Sequence, residues 1–471
     1  MDSPNTNFET SATGVSPGEQ QRQGSRRHGR SSSSVKSLSR VVGSPISGLP
    51  TELLRLIFSA CVQDHAPVTQ PGPPCAWILA MVCGVWRAIM LADTSLWTTF
   101  SIANDHYPAP QFILEYLRRS GGLPLQVALG DVRPGAISPS VVDCLNRGMS
   151  CWRTLELGPT SDGAAAFLSG RALPLLRRVE VEYSPALLDP TFYRVLSRME
   201  SLVELVVAST PYEESPYPSV SPFKSLREAD LNVGTLVLAR VLPTIASTLV
   251  VLRLTFHVRM PPYQDTPWHG IWLASRISFP CLRELYMVSP STETFAFAQL
   301  FEVPALEKLV LDCEAISDFS GLASMLTKSA CRLQALRVAC RRQMSKPLAS
   351  QRLAGLLESA PHIRSLELRL RQDYSSKVFI WLTDSSHASF LESLSIDVSE
   401  FQPSSPLLHS SLQELLKARC TPPSTLKIHA TGKSRQQWAT FIDSMGRSGL
   451  PPPRLPTEML RLTRKVRRLF K

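Results

Sequence analysis

A short apolar pattern recurs ten times along the middle of this chain, and it constrains the fold more than any other feature of the sequence. The pattern is apolar-x-x-apolar-x-apolar, as in Leu306-Glu-Lys-Leu309-Val-Leu311, and successive copies start 23 to 33 residues apart. The copies start at Trp152, Leu176, Leu202, Leu226, Leu249, Leu282, Leu306, Leu333, Ile363 and Leu391. The two alternating positions predict a short strand with one buried face, and the leading residue is expected to close the turn before it.

The segments between the copies complete a repeating unit. Stretches such as 294–300 and 321–327 are compatible with helices, and a proline often precedes the pattern, as at Pro174 and Pro280. Strands that alternate with helices at this period predict an α/β fold, and the period suits an irregular leucine-rich-repeat-like solenoid. The asparagine that follows the strand in standard repeats is missing. A mixed α/β fold built of repeated αβ units therefore fits the same pattern.

Ahead of the repeats lies a segment that predicts helices with apolar residues on more than one face. Pro50 suits the first turn of a helix, and the helix predicted over 53–62 contains only two polar residues. A second helix is predicted over 76–91, followed by a turn at 93–97. Two or three short helices build a poor core by themselves. The surplus apolar surface therefore predicts either an interface with a partner or a seam with the rest of the chain.

The net charge of +11 is concentrated at the two ends of the chain. Residues 1–44 carry +3 and residues 451–471 carry +6, which leaves about +2 for the long central part. This distribution argues against nucleic acid as a partner of the central part. Residues 1–44 are rich in Ser and Arg, and we expect a disordered tail. Residues 431–471 are expected to form a basic tail or a cap, and 457–471 could form a basic amphipathic helix.

The sequence predicts a location in the cytoplasm, the nucleus or both. The first residues are polar and lack the apolar core of a signal peptide. The ten cysteines lie mostly within apolar runs and form no C-x-x-C pair, so we expect reduced thiols. The longest apolar run, 76–92, has 17 residues and includes Arg87. It is shorter than the roughly 20 apolar residues that a membrane span needs, so we expect no span.

Catalytic and cofactor-binding motifs are not recognisable in the sequence. It contains no H-E-x-x-H or G-x-G-x-x-G. Gly432-Lys433-Ser434 lacks the earlier glycine and the preceding strand of a phosphate-binding loop. The nine histidines are scattered, and no cysteine or histidine occurs at zinc-ligand spacing. We therefore expect a protein that is not an enzyme and that holds no metal or cofactor.

Three stretches of the helical segment carry a compound match. They read Leu49-Pro50-x-Glu52-Leu53-Leu54-x-x-Ile57-Phe58, then Val82-Cys83-x-x-Trp86-Arg87-x-Ile89, then Ser95-Leu96-Trp97. In this order they resemble the F-box domain, and together with the repeats that follow they resemble a fungal F-box protein. Gly84 and Val85 depart from the polar or basic pair that is common between the cysteine and the tryptophan.

This resemblance implies a substrate-recognition subunit of an SCF-type cullin–RING ubiquitin ligase. The F-box of that family binds a Skp-type adaptor protein, and the C-terminal domain selects a protein target. The residues that the resemblance assigns to the adaptor-facing surface are Leu49, Pro50, Leu53, Leu54, Ile57 and Phe58. The residues that it assigns to the adjoining apolar cluster are Val82, Trp86 and Trp97.

The resemblance also sets expected domain boundaries. The expected parts are a disordered tail at 1–44, an F-box domain at 45–105, a substrate-binding repeat domain at 106–430 and a basic tail or cap at 431–471. An alternative fits the same features. It is a repeat-based interaction scaffold that is not associated with a ubiquitin ligase.

Overall fold

The structure of this chain is a computed structural model. It describes residues 45–64, 75–102, 110–130, 138–158, 167–182, 190–208, 222–232, 235–256, 276–289, 293–313, 319–340, 348–369, 378, 382–383, 390–397, 414 and 427–431. The tail expected at 1–44 lies outside these ranges. Residues 432–471, which include the possible amphipathic helix, lie outside them as well.

All ten copies of the repeat contain a strand, as the sequence predicts. The strands are β1 (Thr99–Ile102), β2 (Leu125–Leu129), β3 (Trp152–Leu157), β4 (Arg178–Val181), β5 (Glu204–Val207), β6 (Glu228–Leu231), β7 (Val251–Thr255), β8 (Ile277–Ser278), β9 (Glu284–Ser289), β10 (Phe301–Glu302), β11 (Lys308–Cys313), β12 (Ala335–Cys340), β13 (Ser365–Arg369), β14 (Ser393–Asp397) and β15 (Lys427–Thr431). The ten copies correspond to β3–β7, β9 and β11–β14. The sequence did not single out β1, β2, β15 or the two-residue strands β8 and β10.

A parallel sheet joins most of these strands. Among the described residues, thirteen strands form this sheet in chain order from β1 to β15, while β8 and β10 pair separately. Equivalent positions of the repeats lie side by side, so that Leu309 of β11 is in register with Leu285 of β9 and Leu336 of β12. The fold is therefore mixed α/β with a mostly parallel sheet. Neighbours in this sheet are also consecutive strands of the chain, except that β8 lies between β7 and β9 and β10 lies between β9 and β11.

Strand β11 shows how the apolar pattern produces the core. Leu309, Leu311 and Cys313 are at most 1% exposed, whereas the residues between them are half-buried. The leading residue Leu306 is also buried, and its N–H donates to the carbonyl of Val303 at 3.1 Å. Both predicted roles are therefore confirmed at this copy: alternate strand residues fill the core, and the leading residue closes a turn.

Helices occupy many of the connections between strands. They are α1 (Thr51–Asp64), α2 (Cys75–Val82), α3 (Gly84–Ala92), α4 (Pro110–Arg119), α5 (Pro139–Gly148), α6 (Pro190–Ser197), α7 (Thr235–Ile245), α8 (Ser320–Ser329) and α9 (Leu348–Glu358). The helix expected at 321–327 lies within α8, whereas the stretch at 294–300 forms a 3₁₀ helix. Across the ranges that the structure describes, no helix has the length and apolarity of a membrane span.

The single helix predicted over 76–91 is two helices in the structure. Helix α2 ends at Val82 and α3 begins at Gly84, because Cys83 between them is extended, with φ −157° and ψ 171°. The Sγ of Cys83 accepts a hydrogen bond from the backbone N–H of Trp86 at 3.5 Å and so caps α3. Gly84 has a low helix propensity, which favours a break at this point. The apolar run hid this break from the sequence pattern.

The sheet begins inside the segment that was expected to form a helical domain at 45–105. Trp97, Phe100 and Ile102 have the same apolar-x-x-apolar-x-apolar spacing as the repeats, and all three are buried. Strand β1 is hydrogen-bonded in parallel to β2, with Thr99 in register with Gln126. The expected boundary at residue 105 therefore does not separate helices from the sheet.

Candidate partner-binding surface

Helix α1 divides its apolar side chains between two faces. Leu54 and Phe58, four residues apart, are 3% and 0% exposed, so this face packs within the chain. Leu53, Leu56 and Ile57 lie on the other side and are 45%, 67% and 39% exposed. A helix of a self-contained protein usually carries polar residues on its second face. This helix instead presents a second apolar stripe.

Two residues that were expected to face an adaptor lie in the core of the chain instead. The ring centroid of Phe58 is 4.7 Å from that of Trp86, and Leu54 is buried on the same face of α1. Trp97 is fully buried, and its Nε1–H donates to the carbonyl of Met90 at 2.7 Å. Leu54 and Phe58 therefore support the surface from behind, because their side chains are covered by the chain itself.

An aromatic cluster ties the helices to the start of the sheet region. The rings of Trp77, Trp97 and Tyr116 have centroids 5.1 to 6.4 Å apart, and Tyr116 belongs to α4, beyond β1. The guanidinium of Arg119 lies 4.3 Å from the ring centroid of Trp97 and 4.7 Å from that of Trp77. Such cation–π contacts add to the burial of the rings. The cluster fixes the helices against the next element of the chain.

Helix α2 repeats the division seen in α1. Ile78, Met81 and Val82 on α2 are exposed and follow the i, i+3, i+4 spacing of one helix face. Val85 and Leu91 on α3 are exposed as well. Helix α2 contacts both α1 and α3. Helices α1 and α2 thus each present an exposed apolar stripe, and α3 adds two exposed apolar side chains.

Exposed large apolar side chains are concentrated in these three helices. Among the described residues, 14 large apolar side chains are exposed, and eight of them lie between Thr51 and Ala92. Dense apolar exposure of this kind is typical of a site that another protein covers. We define the exposed helical surface as Leu53, Leu56, Ile57, Ile78, Met81, Val82, Val85 and Leu91.

The sequence identified part of this surface. Leu53, Ile57 and Val82 were among the predicted site residues and belong to it, whereas Trp86 is half-buried behind it. Val82 was expected in the apolar cluster that adjoins the adaptor-facing residues, and its side chain is exposed. The members that the sequence did not single out are Leu56, Ile78, Met81, Val85 and Leu91. The i, i+3, i+4 spacing of Leu53, Leu56 and Ile57 on α1, and of Ile78, Met81 and Val82 on α2, is the signal that could have found the members on these two helices. The sequence carries no such signal for Val85 and Leu91.

Leu49 and Pro50 belong to a separate unit. The described residues before Thr51 form this unit, which contains the 3₁₀ helix Pro45–Gly48. The N–H of Leu49 donates to the carbonyl of Ile46 at 3.3 Å and closes a turn at the end of that helix. Leu49 is half-buried and Pro50 is exposed. Their predicted role toward an adaptor stays a prediction.

No protein-family model matches this chain. No curated protein matches it either. The functional interpretation of its surfaces therefore rests on their own geometry and chemistry.

The outward face of the parallel sheet is a second candidate surface, and it is acidic over four strands. The half-buried, outward carboxylates of β3–β6 are Glu156, Glu180, Glu204, Glu228 and Asp230. The register places Glu156 beside Glu180 and Glu204 beside Glu228. Arg178 donates to Glu180 at 2.9 Å and also pairs with Glu204. Arg253 pairs with Glu228 at 3.6 Å, so two arginines offset only part of this negative charge.

Burial perturbs two of these carboxyl groups. It raises the pKa of Glu156, and the neighbouring Glu180 adds to the effect, while a hydrogen bond from Gln126 opposes it. Burial also raises the pKa of Asp230, against the opposing charge of Arg253. In the described ranges, no group of three or more His, Cys, Asp or Glu side chains is placed to hold a metal ion. The face therefore offers negative potential to an approaching partner.

Proposed function

We propose that this chain is the substrate-recognition subunit of an SCF-type cullin–RING ubiquitin ligase. In this proposal, residues 46–102 act as an F-box, and the strands that follow form a leucine-rich-repeat-like solenoid. The observation that carries the proposal is the exposed helical surface, because α1 and α2 bury one apolar face within the chain and leave another open, and α3 exposes Val85 and Leu91. The order of the Leu-Pro, Cys-x-x-Trp-Arg and Leu-Trp stretches supports the assignment of that surface to a Skp-type adaptor.

The physical basis of adaptor binding is apolar burial on a rigid support. Leu53, Leu56 and Ile57 project from α1, whereas Phe58 and Trp86 hold the helix from behind. A helix that is already fixed loses little conformational freedom on binding, so more of the burial energy is retained as affinity. Interfaces of stable complexes have such an apolar centre.

The outward face of the parallel sheet is the surface that we assign to the protein target. On β4–β7, β9, β11 and β12 its half-buried side chains alternate with core residues, and neighbouring strands lie roughly 4.8 Å apart. A target held there is near the charged ubiquitin carrier of the ligase, and the effective concentration of its lysines rises. The chain itself then needs no catalytic group.

Co-purification with a Skp-type adaptor tests the proposal. The double variant Leu53→Ser, Ile57→Ser removes two exposed apolar contacts without emptying the core, and we expect adaptor affinity to fall by at least roughly tenfold. Leu175→Ser is a matched control, since Leu175 and Leu53 are both 45% exposed but Leu175 lies outside α1–α3. Circular dichroism verifies that both variants are folded.

Two results of this experiment would contradict the proposal. Equal recovery of adaptor with the double variant and with Leu175→Ser would contradict the F-box assignment. Failure of the unchanged chain to recover adaptor would do the same. Either result favours the alternative of a repeat-based interaction scaffold that joins no ligase.

A further inference from the structure

Two buried thiols face each other on neighbouring strands. Cys313 ends β11 and Cys340 ends β12, and the two residues are partners in the register of this parallel pair. Both side chains belong to the core, with exposed fractions of 1% and 5%. Their Sγ atoms lie 3.2 Å apart, and both thiols are free. The sheet register thus holds two oxidisable groups in direct contact.

This arrangement meets the geometric requirement for a disulfide without movement of the backbone. Neighbouring strands lie roughly 4.8 Å apart, and disulfides join residues whose Cα atoms are roughly 4.4 to 6.8 Å apart. The sulfur atoms have to approach each other by roughly 1 Å to reach the bond length of about 2.05 Å. Small rotations of the two side chains provide this change.

We propose that Cys313 and Cys340 form an oxidisable dithiol site, which hydrogen peroxide converts into a disulfide that joins β11 to β12. One sulfur attacks a peroxide oxygen, the O–O bond breaks, and a sulfenic acid and one water form. The second sulfur then displaces a second water from the sulfenic sulfur, and the S–S bond forms. The two thiols lose two protons and two electrons in total, and peroxide is reduced to two waters. This inference does not depend on the proposed function.

Enclosure of the pair determines which oxidant reaches it. Hydrogen peroxide is close to water in size, whereas oxidised glutathione is a bulky disulfide that needs an open path to the sulfur. Cys83 and Cys281 are exposed and are therefore the cysteines that we expect to react with glutathione disulfide. Because both of its sulfur atoms belong to buried residues, the dithiol site is selective for small oxidants.

The environment of the pair also makes the reaction slow. The hydrogen bond with Cys313 is the main cause that raises the pKa of Cys340, and burial adds to it. The Sγ–H of Cys313 can also donate to the carbonyl of Ala339 at 3.5 Å. Because the thiolate is the nucleophile and the pKa of Cys340 is raised, only a small fraction of the chains carries a reactive thiolate at this site at neutral pH. We therefore expect a slow cross-link under sustained oxidation rather than a fast sensor.

Peptide mass spectrometry on the full-length chain tests the proposal. The chain is first reduced, then exposed to hydrogen peroxide, alkylated and digested without reductant. We expect a peptide pair linked through Cys313 and Cys340, lighter than the two free peptides by two hydrogen atoms. Cys313→Ala should abolish this pair, whereas the matched control Cys281→Ala should keep it. The oxidised chain should also gain roughly 5 °C in Tm, since the new bond constrains the unfolded state.

Several outcomes would overturn the proposal. One is oxidation of Cys281 by peroxide while Cys313 and Cys340 remain free, and another is a cross-link to a different cysteine. Equally rapid formation of the same bond by oxidised glutathione would contradict the predicted selectivity. If Cys313→Ala does not fold, the linked peptides of the unchanged chain still decide the matter, because their masses identify both residues directly.

Discussion

Trp97 makes three kinds of contact at one position. It is fully buried, its indole N–H donates to the carbonyl of Met90 at 2.7 Å, and the guanidinium of Arg119 lies 4.3 Å from its ring centroid. It also precedes Phe100 and Ile102 at the spacing that precedes the other strands. One side chain therefore belongs both to the packing of the helices and to the start of the sheet.

A substitution at Trp97 should be costly even when the aromatic ring is kept. Trp97→Phe leaves the carbonyl of Met90 without its donor and leaves a cavity, and we expect a loss of roughly 2 to 3 kcal/mol in the free energy of unfolding. Urea denaturation followed by tryptophan fluorescence and circular dichroism measures this change. Val85→Ala, on the exposed side of α3, is the control and should change stability by no more than roughly 0.5 kcal/mol. Equal stability of the two variants would show that the indole hydrogen bond contributes little.

Glu156 should destabilise the chain at neutral pH. Burial raises the pKa of this carboxyl above its ordinary value of 4.5, so the folded state holds the proton more tightly than the unfolded state. The corresponding stability is present below about pH 4.5 and is lost as the pH rises through the folded pKa. Glu156→Gln keeps an acceptor for Gln126 and removes the charge. We expect a gain that solvent screening limits to roughly 0.5 kcal/mol near pH 7.

The pH dependence distinguishes this cause from a change in packing. Glu156→Gln and the unchanged chain should become equally stable below about pH 3.5, where Glu156 is mostly protonated in both states. Chemical denaturation at the two pH values gives the comparison. Glu200→Gln, at an exposed carboxylate, controls for the loss of one negative charge. A gain that persists unchanged at the lower pH would point to packing rather than ionisation.

Each strand contributes to stability through one of its two faces. Leu311→Ala on β11 removes a side chain with no exposed surface, and we expect a loss of roughly 3 to 5 kcal/mol. Val310→Ala changes its half-buried neighbour on the outward face and should cost less than roughly 1 kcal/mol. Thermal and urea unfolding of the two variants compare the two faces. Similar losses from both substitutions would contradict the assignment of one face to the core.

At the scale of elements, the sequence predicts a strand well where apolar alternation and a leading apolar residue occur together. Ten strands satisfy both conditions and are present. Strand β1 satisfies them too, but Trp97 had been assigned to the helical segment. Strand β15 has Thr425 at the leading position, and this polar residue hides the pattern. The break at Cys83 is invisible in an apolar run because a single extended residue changes no periodicity.

A core substitution should affect the sheet only locally, because paired strands are consecutive in the chain or are separated by a single two-residue strand. Val179→Ala on β4 and Val338→Ala on β12 are separated by five strands, and each should cost roughly 2 kcal/mol. Their costs should add to within roughly 0.5 kcal/mol in the double variant. Denaturation of the single and double variants measures the coupling.

The in-register pair Leu309→Ala and Leu336→Ala provides the contrasting case. The two side chains are neighbours in the core, so we expect a coupling of roughly 0.5 to 3 kcal/mol. If the free-energy costs of Val179→Ala on β4 and Val338→Ala on β12 were strongly coupled, substitutions would act over the whole sheet rather than locally. Additivity in both pairs would mean that register neighbours do not share a cavity.

The candidate surface was predictable only in part from the sequence. Apolar residues on two faces of α1 indicated that one face needs a cover, but composition does not tell which face packs within the chain. The positions of Phe58 and Trp86 settle this, since their rings are in contact. Leu54 follows because it is buried on the same side as Phe58. The exposed members of α2 and α3 depend on how the helices pack, which a one-dimensional pattern does not contain.

The register of the sheet is independent of the length of the connections. The longest interval between copies, 33 residues from Leu249 to Leu282, still leaves Leu252 opposite Leu285 and Leu254 opposite Met287. Residues can thus be gained or lost between strands without any strand sliding past its neighbour. During evolution, such chains can therefore accept insertions and deletions in their connecting segments while the sheet is preserved. New binding specificities can arise in these segments without a change of fold.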